Sequence, residues 1–330
     1  MNNIQATKIV ERAANLPLYL HAYAFHLNMR MEKILPEDLL DIASQQQLKG
    51  VKIHVVDGES QSLRHASDER LANFAEKSRQ LGLDVHIETS ASDARTIDEA
   101  VRIALKSGAT SVRFYPRYEG TLSEVMEIIA QDIQYIKAKY QHSGLTFTLE
   151  QHEDLQSHEL VKLVQEADFP QLSLLFDFAN MINANEEPLD ALAVMGKEVT
   201  QVHIKDALIN HEGEGRGHTA CISGEGELPF KELLLQLICL GEDKPQVTAF
   251  GLEEEVDYYA PAFRFTNEDK NPWIPLRQMS ETPLPTSGLE ERLDKEIDDA
   301  MNQIMHVRNI LGDLHKDAMA ILRKSLIQNI

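Results

Sequence analysis

The chain has 330 residues, 43% of them hydrophobic and 26% charged, which is the balance of a globular protein able to bury a sizeable core and the length of an α/β barrel with extensions. A formal net charge of −21 repels polyanions at long range and argues against nucleic acid as a partner. No run of about 18 apolar residues and no leader with a cleavage site is evident, so a cytoplasmic protein with no membrane partner is expected; Cys221 and Cys239, without a CxxC pair, indicate neither a disulfide framework nor a thiolate zinc site.

Along the chain, short β-branched and aromatic runs alternate with amphipathic stretches. LYLHAYAF (18–25) is followed by the helical PEDLLDIASQQQ and then by GVKIHVVDG (50–58). The rhythm continues through LDVHIETS, TSVRFYPR, LTFTLEQHE, LSLLFDFAN, VTQVHIKDA and QVTAFGLEEE, giving eight strands that start at 18, 50, 83, 110, 145, 172, 199 and 246. The intervening pieces DERLANFAEKSRQLG and ARTIDEAVRIALKSG end in Gly, the usual helix C-terminal punctuation. Eight βα units in succession predict a closed (β/α)8 TIM barrel over an open doubly wound sheet, whose GxGxxG fingerprint is missing after the first strand.

The widest interval precedes the eighth strand and holds NHEGEGRGHTACISGEGELPF, read as a polar, Gly-rich loop bordering the barrel mouth. Its GEGEL lacks the GK[ST] and the buried lead-in strand of a P-loop. Beyond Tyr259 a segment with little periodicity is expected to wrap the barrel surface. From Ser287, paired with Glu290 as a capping box, a long helical pattern runs through Leu289, Leu293, Ile297, Ala300, Ile304, Val307, Leu311 and Leu314 towards Ile321 and Leu322, with Gly312 as a candidate break. The division is therefore a catalytic barrel over 1–260 and, over 261–330, a wrapping segment with a C-terminal helical extension. That extension completes the barrel and is available for packing in a homo-oligomer, a dimer or tetramer.

Groups that meet one substrate in such a barrel lie at the C-terminal ends of the strands. Four successive strands deliver a ligand-type residue there: Glu150 in LEQHE, Asp177 in FDFAN, His203 in HIKD and Glu253 in GLEEE. Three carboxylates and an imidazole form a hard donor set suited to one divalent ion, with Mn2+ or Mg2+ ahead of Co2+ or Zn2+. Each alone is as well explained as a helix cap; four at consecutive strand ends are not. Glu255 shares strand parity with Glu253 and is the substitute if the last strand runs longer. Candidate substrate contacts are His152, Lys205, Arg113, Arg216, His218 and His86. Glu88 shares a face with His86, Tyr115 and Arg117 share one with Arg113, and His54 lies on the second strand.

The order LE, DxxN, HxKD, GxG, LE across the last half of the barrel resembles the xylose-isomerase-like TIM barrel superfamily, in its sugar phosphate isomerase/epimerase branch with the ketose 3-epimerases. The resemblance implies one metal on Glu150, Asp177, His203 and Glu253, with Glu150 and Glu253 also exchanging protons with substrate carbon. It also implies an ExH pair in Glu150 and His152. The same superfamily includes apurinic endonucleases, but their DxxH stands here as Asp177 with Asn180, and their Asp-x-His as Arg216-Gly217-His218, which together with the acidic charge disfavours that reading.

The function expected is a divalent-metal-dependent isomerase or epimerase acting on a small carbohydrate through a metal-stabilised enediolate. The alternative is a metal-dependent lyase, a decarboxylase or dehydratase, on an oxo-sugar acid, favoured if Lys205, Arg113 or Arg117 binds a carboxylate. A metal-free binding barrel is the contrasting class.

Overall fold

In the computed structural model, which describes residues 1–277 and 281–328, eight parallel strands close into a barrel. They are β1 (Leu18–His21), β2 (Gly50–His54), β3 (Asp84–Glu88), β4 (Ser111–Phe114), β5 (Thr146–Glu150), β6 (Leu172–Asp177), β7 (Val199–Ile204) and β8 (Ala249–Leu252), hydrogen-bonded in sequence order with β8 returning to β1. The protein is a TIM barrel with helices between successive strands. Gly82 and Gly108 close two of these helices at φ of 68° and 72°, as the punctuation predicts.

Alternation along each strand sorts the side chains. Outward residues such as Val51, Ile53, Val85, Ile87, Phe147, Leu149, Phe176 and Val202 pack under the helices in one hydrophobic core. The inward parity is largely polar: Lys52 on β2, His86 and Glu88 on β3, Ser111 and Arg113 on β4, Glu150 on β5, Asp177 on β6, and Gln201 and His203 on β7 are all buried. A buried polar lining survives only if its members satisfy one another, and this one does so across the barrel: Lys52 donates to Gln201 Oε1 (2.6 Å), and Gln201 donates to Ser111 Oγ (2.7 Å). On β8, a Cβ at Gly251 would lie 2.7 Å from Lys52 Cδ and 3.2 Å from His203 Cδ2, so only glycine lets that lysine and imidazole share the axis.

Two stretches differ from the sequence expectation. The Gly-rich interval is largely a β-hairpin, Asp206–Glu212 against Gly215–Cys221, extended by Tyr259–Ala260. Its polar backbone is satisfied by a cross-strand ladder, which glycine content had masked. The segment after Tyr259 does more than coat the surface, since it crosses the mouth: Asn183 Nδ2 donates to Ala260 O and Pro261 O, Trp273–Ile274 pairs with Gly120–Thr121, and Arg277 reaches Glu153 (3.1 Å).

The long C-terminal helix, Leu289–Gln328, has 40 residues. It starts after Gly288 (φ 72°), whose carbonyl accepts from Arg292 N, so the expected Ser287–Glu290 box is not formed. Gly312 leaves the helix uninterrupted. Leu293, Ala300, Ile304, Val307, Leu311, Leu314 and Ala318 form its buried face, and it packs on an N-terminal helix, Asn3–Arg12. Glu296 anchors the start of the helix by accepting from Leu27 N and Asn28 N (2.8 and 2.9 Å). Among the described residues no helix is long and apolar enough to cross a membrane.

Candidate metal centre and the cleft above it

Strand register decides which end-residues meet. Asp177 is level with His203 across β6 and β7, and His203 is level with Gly251 across β7 and β8, so Glu253 projects one step beyond that layer. Glu150 ends β5 on the other side. Glu150, Asp177, His203 and Glu253 each offer a ligand atom, and these four atoms all lie within 4.8 Å of one another. Glu253 belongs to the group because β8 stops at Leu252, after which Glu255 turns away to accept from Thr282 Oγ1 (2.5 Å).

The chemistry of the group fits a cation. Glu150 Oε2, Asp177 Oδ2, His203 Nδ1 and Glu253 Oε2 are buried with no hydrogen-bond partner among the described residues. They face only charged groups instead, Arg113 for Glu150, Lys205 for Asp177, and each other for His203 and Glu253, an arrangement that a cation can enter. The other atoms of the same residues are engaged. Asp177 Oδ1 accepts from Ala179 N and Asn180 N (2.8 and 2.9 Å), and His203 Nε2 faces Glu88 Oε1 at 3.0 Å. A carboxylate on the far nitrogen of an imidazole fixes the tautomer that leaves Nδ1 free to ligate and makes it a better donor.

Electrostatics agree with the geometry. Burial alone would depress the His203 pKa, but Glu253, Glu88 and Glu150 outweigh it and raise the pKa well above the ordinary histidine value. His203 Nδ1 lies 2.8 Å from Glu253 Oε2 and 3.2 Å from Glu150 Oε1. Burial raises Asp177 to about 6, against the nearby Lys205 ammonium at 3.1 Å. Glu253 goes the other way: burial opposes its charge, yet Lys205 and His203 hold it well below the usual carboxylate range. Beneath the group, Glu88 binds His21 Nε2 (2.8 Å), Arg113 and Lys52 (3.4 Å). His21, Glu88 and His203 form a second cluster with ligand-type atoms in mutual reach, but the Glu88 carboxylate there is already shared between Arg113 and Lys52, so a cation would have to compete with both.

Above the centre a cleft opens to solvent. Of the residues singled out from sequence, His152, Lys205, Glu253, Glu255, His54, Tyr115 and Arg117 line it. Four others do not. Arg113 is buried lower down, with Nε 3.1 Å from Glu150 Oε2, and acts on the cleft through that carboxylate. His86 has the inward parity but lies one layer too deep, between Gln201 (3.1 Å), Asp84 (3.3 Å) and the Tyr19 ring. His218 is on the hairpin, bonded to Asn183 Oδ1 (2.6 Å), and burial holds its pKa well below the ordinary value. Arg216 is drawn to the rim by Glu187 and Asn185. Sequence reasoning passed over Tyr23, His26, Arg30 and Arg277, which also line the cleft. The first three follow β1 in two short helical turns, Ala22–Phe25 and His26–Arg30, and LYLHAYAF, which holds Tyr23, looked like one continuous strand.

Residues 40–249 match the family model of the xylose isomerase-like TIM barrel, and the chain belongs to that family. It is 67% identical over 318 residues to the uncharacterized protein YihM of Escherichia coli (strain K12), covering 96% of this chain and 98% of that one. It is 24% identical over 167 residues to 3-oxo-isoapionate decarboxylase of Pectobacterium atrosepticum, covering 48% of this chain and 59% of the decarboxylase. Among solved structures, the IOLI protein with a bound zinc atom superposes with a TM-score of 0.60 at 14% identity, covering 89% of this chain and 98% of that one. D-psicose 3-epimerase gives 0.59 at 11% identity, covering 90% and 100%. At these identities the structural likeness is one of fold.

Proposed function

We propose that the protein is a divalent-metal-dependent isomerase or epimerase of a small sugar or sugar acid. The observation that carries this reading is the convergence of four buried ligand atoms, from Glu150, Asp177, His203 and Glu253, all within 4.8 Å of one another and reached by a cleft that Glu253 lines. Their hard oxygen and nitrogen character suits Mn2+ or Mg2+ first and Co2+ or Zn2+ second. The zinc in the IOLI protein lends this support from the same fold. A divalent ion held there would polarise a carbonyl and the hydroxyl beside it and lower the barrier to removing the proton between them.

The remaining work falls to side chains. Glu150 and Glu253 come from strands at the two ends of the four-residue arc and approach a substrate from different sides. One removes the carbon-bound proton, and the other returns a proton to the same carbon, giving epimerisation, or to its neighbour, giving aldose–ketose isomerisation. Lys205, 3.1 Å from Asp177 and lining the cleft, supplies a positive charge beside the oxygen on which negative charge develops. Burial, helped by Arg277 and Lys205, lowers the His152 pKa far enough to keep that imidazole neutral, so it can donate to or accept from substrate hydroxyls.

A second reading, a lyase on an oxo-sugar acid, is favoured by the cationic side chains Lys205, Arg117 and Arg277 on the cleft and by the similarity to a decarboxylase. Incubating the protein with Mn2+, ketoses, sugar phosphates and oxo-sugar acids in deuterated water separates the two. Solvent deuterium in recovered sugar supports proton transfer, and carbon dioxide release supports the lyase. The Glu150→Gln variant should lose either activity by about 100-fold or more. Full turnover by that variant removes Glu150 from the mechanism.

A further inference from the structure

Arg277 belongs to the aperiodic segment that crosses the barrel mouth, and its side chain is 7% exposed while lining the cleft. Its surroundings fix it on two sides. Nη1 is 3.1 Å from Glu153 Oε2, and the guanidinium carbon lies 4.8 Å from the centre of the Tyr115 ring. Nε and Nη2, the two donors of its side-on edge, are buried with no hydrogen-bond partner among the described residues.

A second buried arginine of the same segment shows what a structural role looks like. Arg264 spends Nε on Glu268 (2.8 Å) and both terminal nitrogens on Glu159 (2.9 and 3.2 Å), leaving no donor idle. Arg277 keeps a planar two-donor fork in reserve, the geometry that carboxylate and phosphate oxygens match.

Beside it the His152 ring stacks on Tyr115 (3.9 Å between centroids), with Nδ1 also buried and unpartnered. The charges acting on His152 are those of Arg277, Lys205, Arg113 and Arg117, so this wall of the cleft is cationic although the protein as a whole is strongly acidic. Carboxyl groups line the cleft elsewhere, at Asp57, Glu59, Glu253, Glu255 and Glu281, and Glu153 offsets only one edge of Arg277. The Arg113 guanidinium carbon lies 5.2 Å from the same Tyr115 ring and its Nε 3.1 Å from Glu150, and Arg277 shares the cleft with Glu253.

We infer that Arg277, with His152, forms an anion subsite that recognises a terminal carboxylate or phosphate of the substrate, making the substrate class acidic or phosphorylated rather than a neutral sugar. This rests on the cleft being the substrate site proposed above.

The test is calorimetric titration of the full chain in Mn2+ with D-glucitol, D-gluconate and D-glucitol 6-phosphate. At least one charged polyol should bind about tenfold or more tightly than D-glucitol. Arg277→Met should reduce that preference to within about twofold while leaving D-glucitol and Mn2+ affinity in place. Preference for gluconate alone assigns a carboxylate, preference for the phosphate ester alone assigns a phosphate, and preference for both assigns the shared fork. Equal binding of all three, no binding of either charged polyol, or a preference that persists in the variant overturns the inference. Because removing Arg277 strands a buried Glu153, the Arg277→Met/Glu153→Gln pair keeps the test open if the single variant fails to fold. The Mn2+ titration run alongside distinguishes failure of the metal reading, which would leave the anion preference intact.

Discussion

Glu88 is not among the four converging residues, yet Glu88→Gln should weaken metal binding as clearly as loss of a ligand weakens some sites. The carboxylate accepts from His203 Nε2 at 3.0 Å and from His21 Nε2 at 2.8 Å, and it pairs with Arg113 and with Lys52 at 3.4 Å. Burial works against its charge, but Arg113, His21, His203 and Lys52 together hold its pKa well below the carboxylate norm. An amide there removes the anion that makes His203 Nδ1 a strong donor, an effect of about 10- to 100-fold in metal affinity, or roughly 1.4–2.7 kcal/mol. It also leaves Arg113 and Lys52 short of a partner in a dry interior, at about 3–5 kcal/mol of stability out of a usual 5–15. Both quantities are measurable on one sample: Mn2+ affinity by calorimetry on chelator-stripped protein, and stability by denaturant unfolding followed by circular dichroism, with affinity scored only at temperatures where the variant is folded. Mn2+ affinity within twofold of the parent would refute the idea that Glu88 tunes the centre through His203.

Three further outcomes follow from particular residues. Glu253→Gln should lower Mn2+ affinity by about tenfold or more while Glu255→Gln should change it little, since Glu255 is turned to Thr282; the reverse ranking in the same titration would move the ligand to Glu255. Burial raises Asp154 from 3.8 to about 7, so the folded state holds a proton the unfolded chain has released, and stability drains away as pH rises from about 4 to about 7. Asp154→Asn should remove up to about 4 kcal/mol of that slope and melt higher than the parent at pH 8; parallel melting curves for the two proteins across that range would contradict it. Metal binding near pH 7 should release about one proton, read from the dependence of calorimetric heat on buffer ionisation enthalpy, and zero release would show that His203 is not protonated beforehand.

The barrel was legible because its rule is periodic: apolar outward positions recur at every other residue of eight short runs, and the strand starts expected at 18, 50, 172 and 199 are those observed. The convergence of Glu150, Asp177, His203 and Glu253 was legible for the same reason, each following an apolar lead-in on successive strands. Depth along the barrel axis was not legible. His86 and Glu88 have the same parity, but only the layer set by register against β2 and β4 puts Glu88 under the candidate metal centre and His86 a step below it. Arg277 lies in a segment with no periodicity, where a sequence offers no face to read. The hairpin 206–221 was hidden because glycine at 213, 215 and 217 lowers apparent strand propensity, while its cross-strand ladder depends on pairing that one strand cannot announce.

The charge balance of the interior ties the fold to the proposed chemistry. The group of charges around His203 holds four carboxyl groups, Glu88, Glu150, Asp177 and Glu253, against three basic side chains, Lys52, Arg113 and Lys205. A proton on His203 makes that network neutral, which is why its pKa is raised in spite of burial. Replacing the proton by a divalent cation leaves one positive charge in excess, inside a barrel whose low dielectric makes an uncompensated charge costly. A substrate that brings one negative charge of its own near Lys205 restores neutrality, whereas passing the carbon-bound proton to a glutamate moves charge within the site and leaves that balance unchanged. Outside the barrel the chain is strongly acidic. The interior is therefore where an anion is electrostatically welcome, and the mouth-crossing segment that carries Arg277 is placed to admit it.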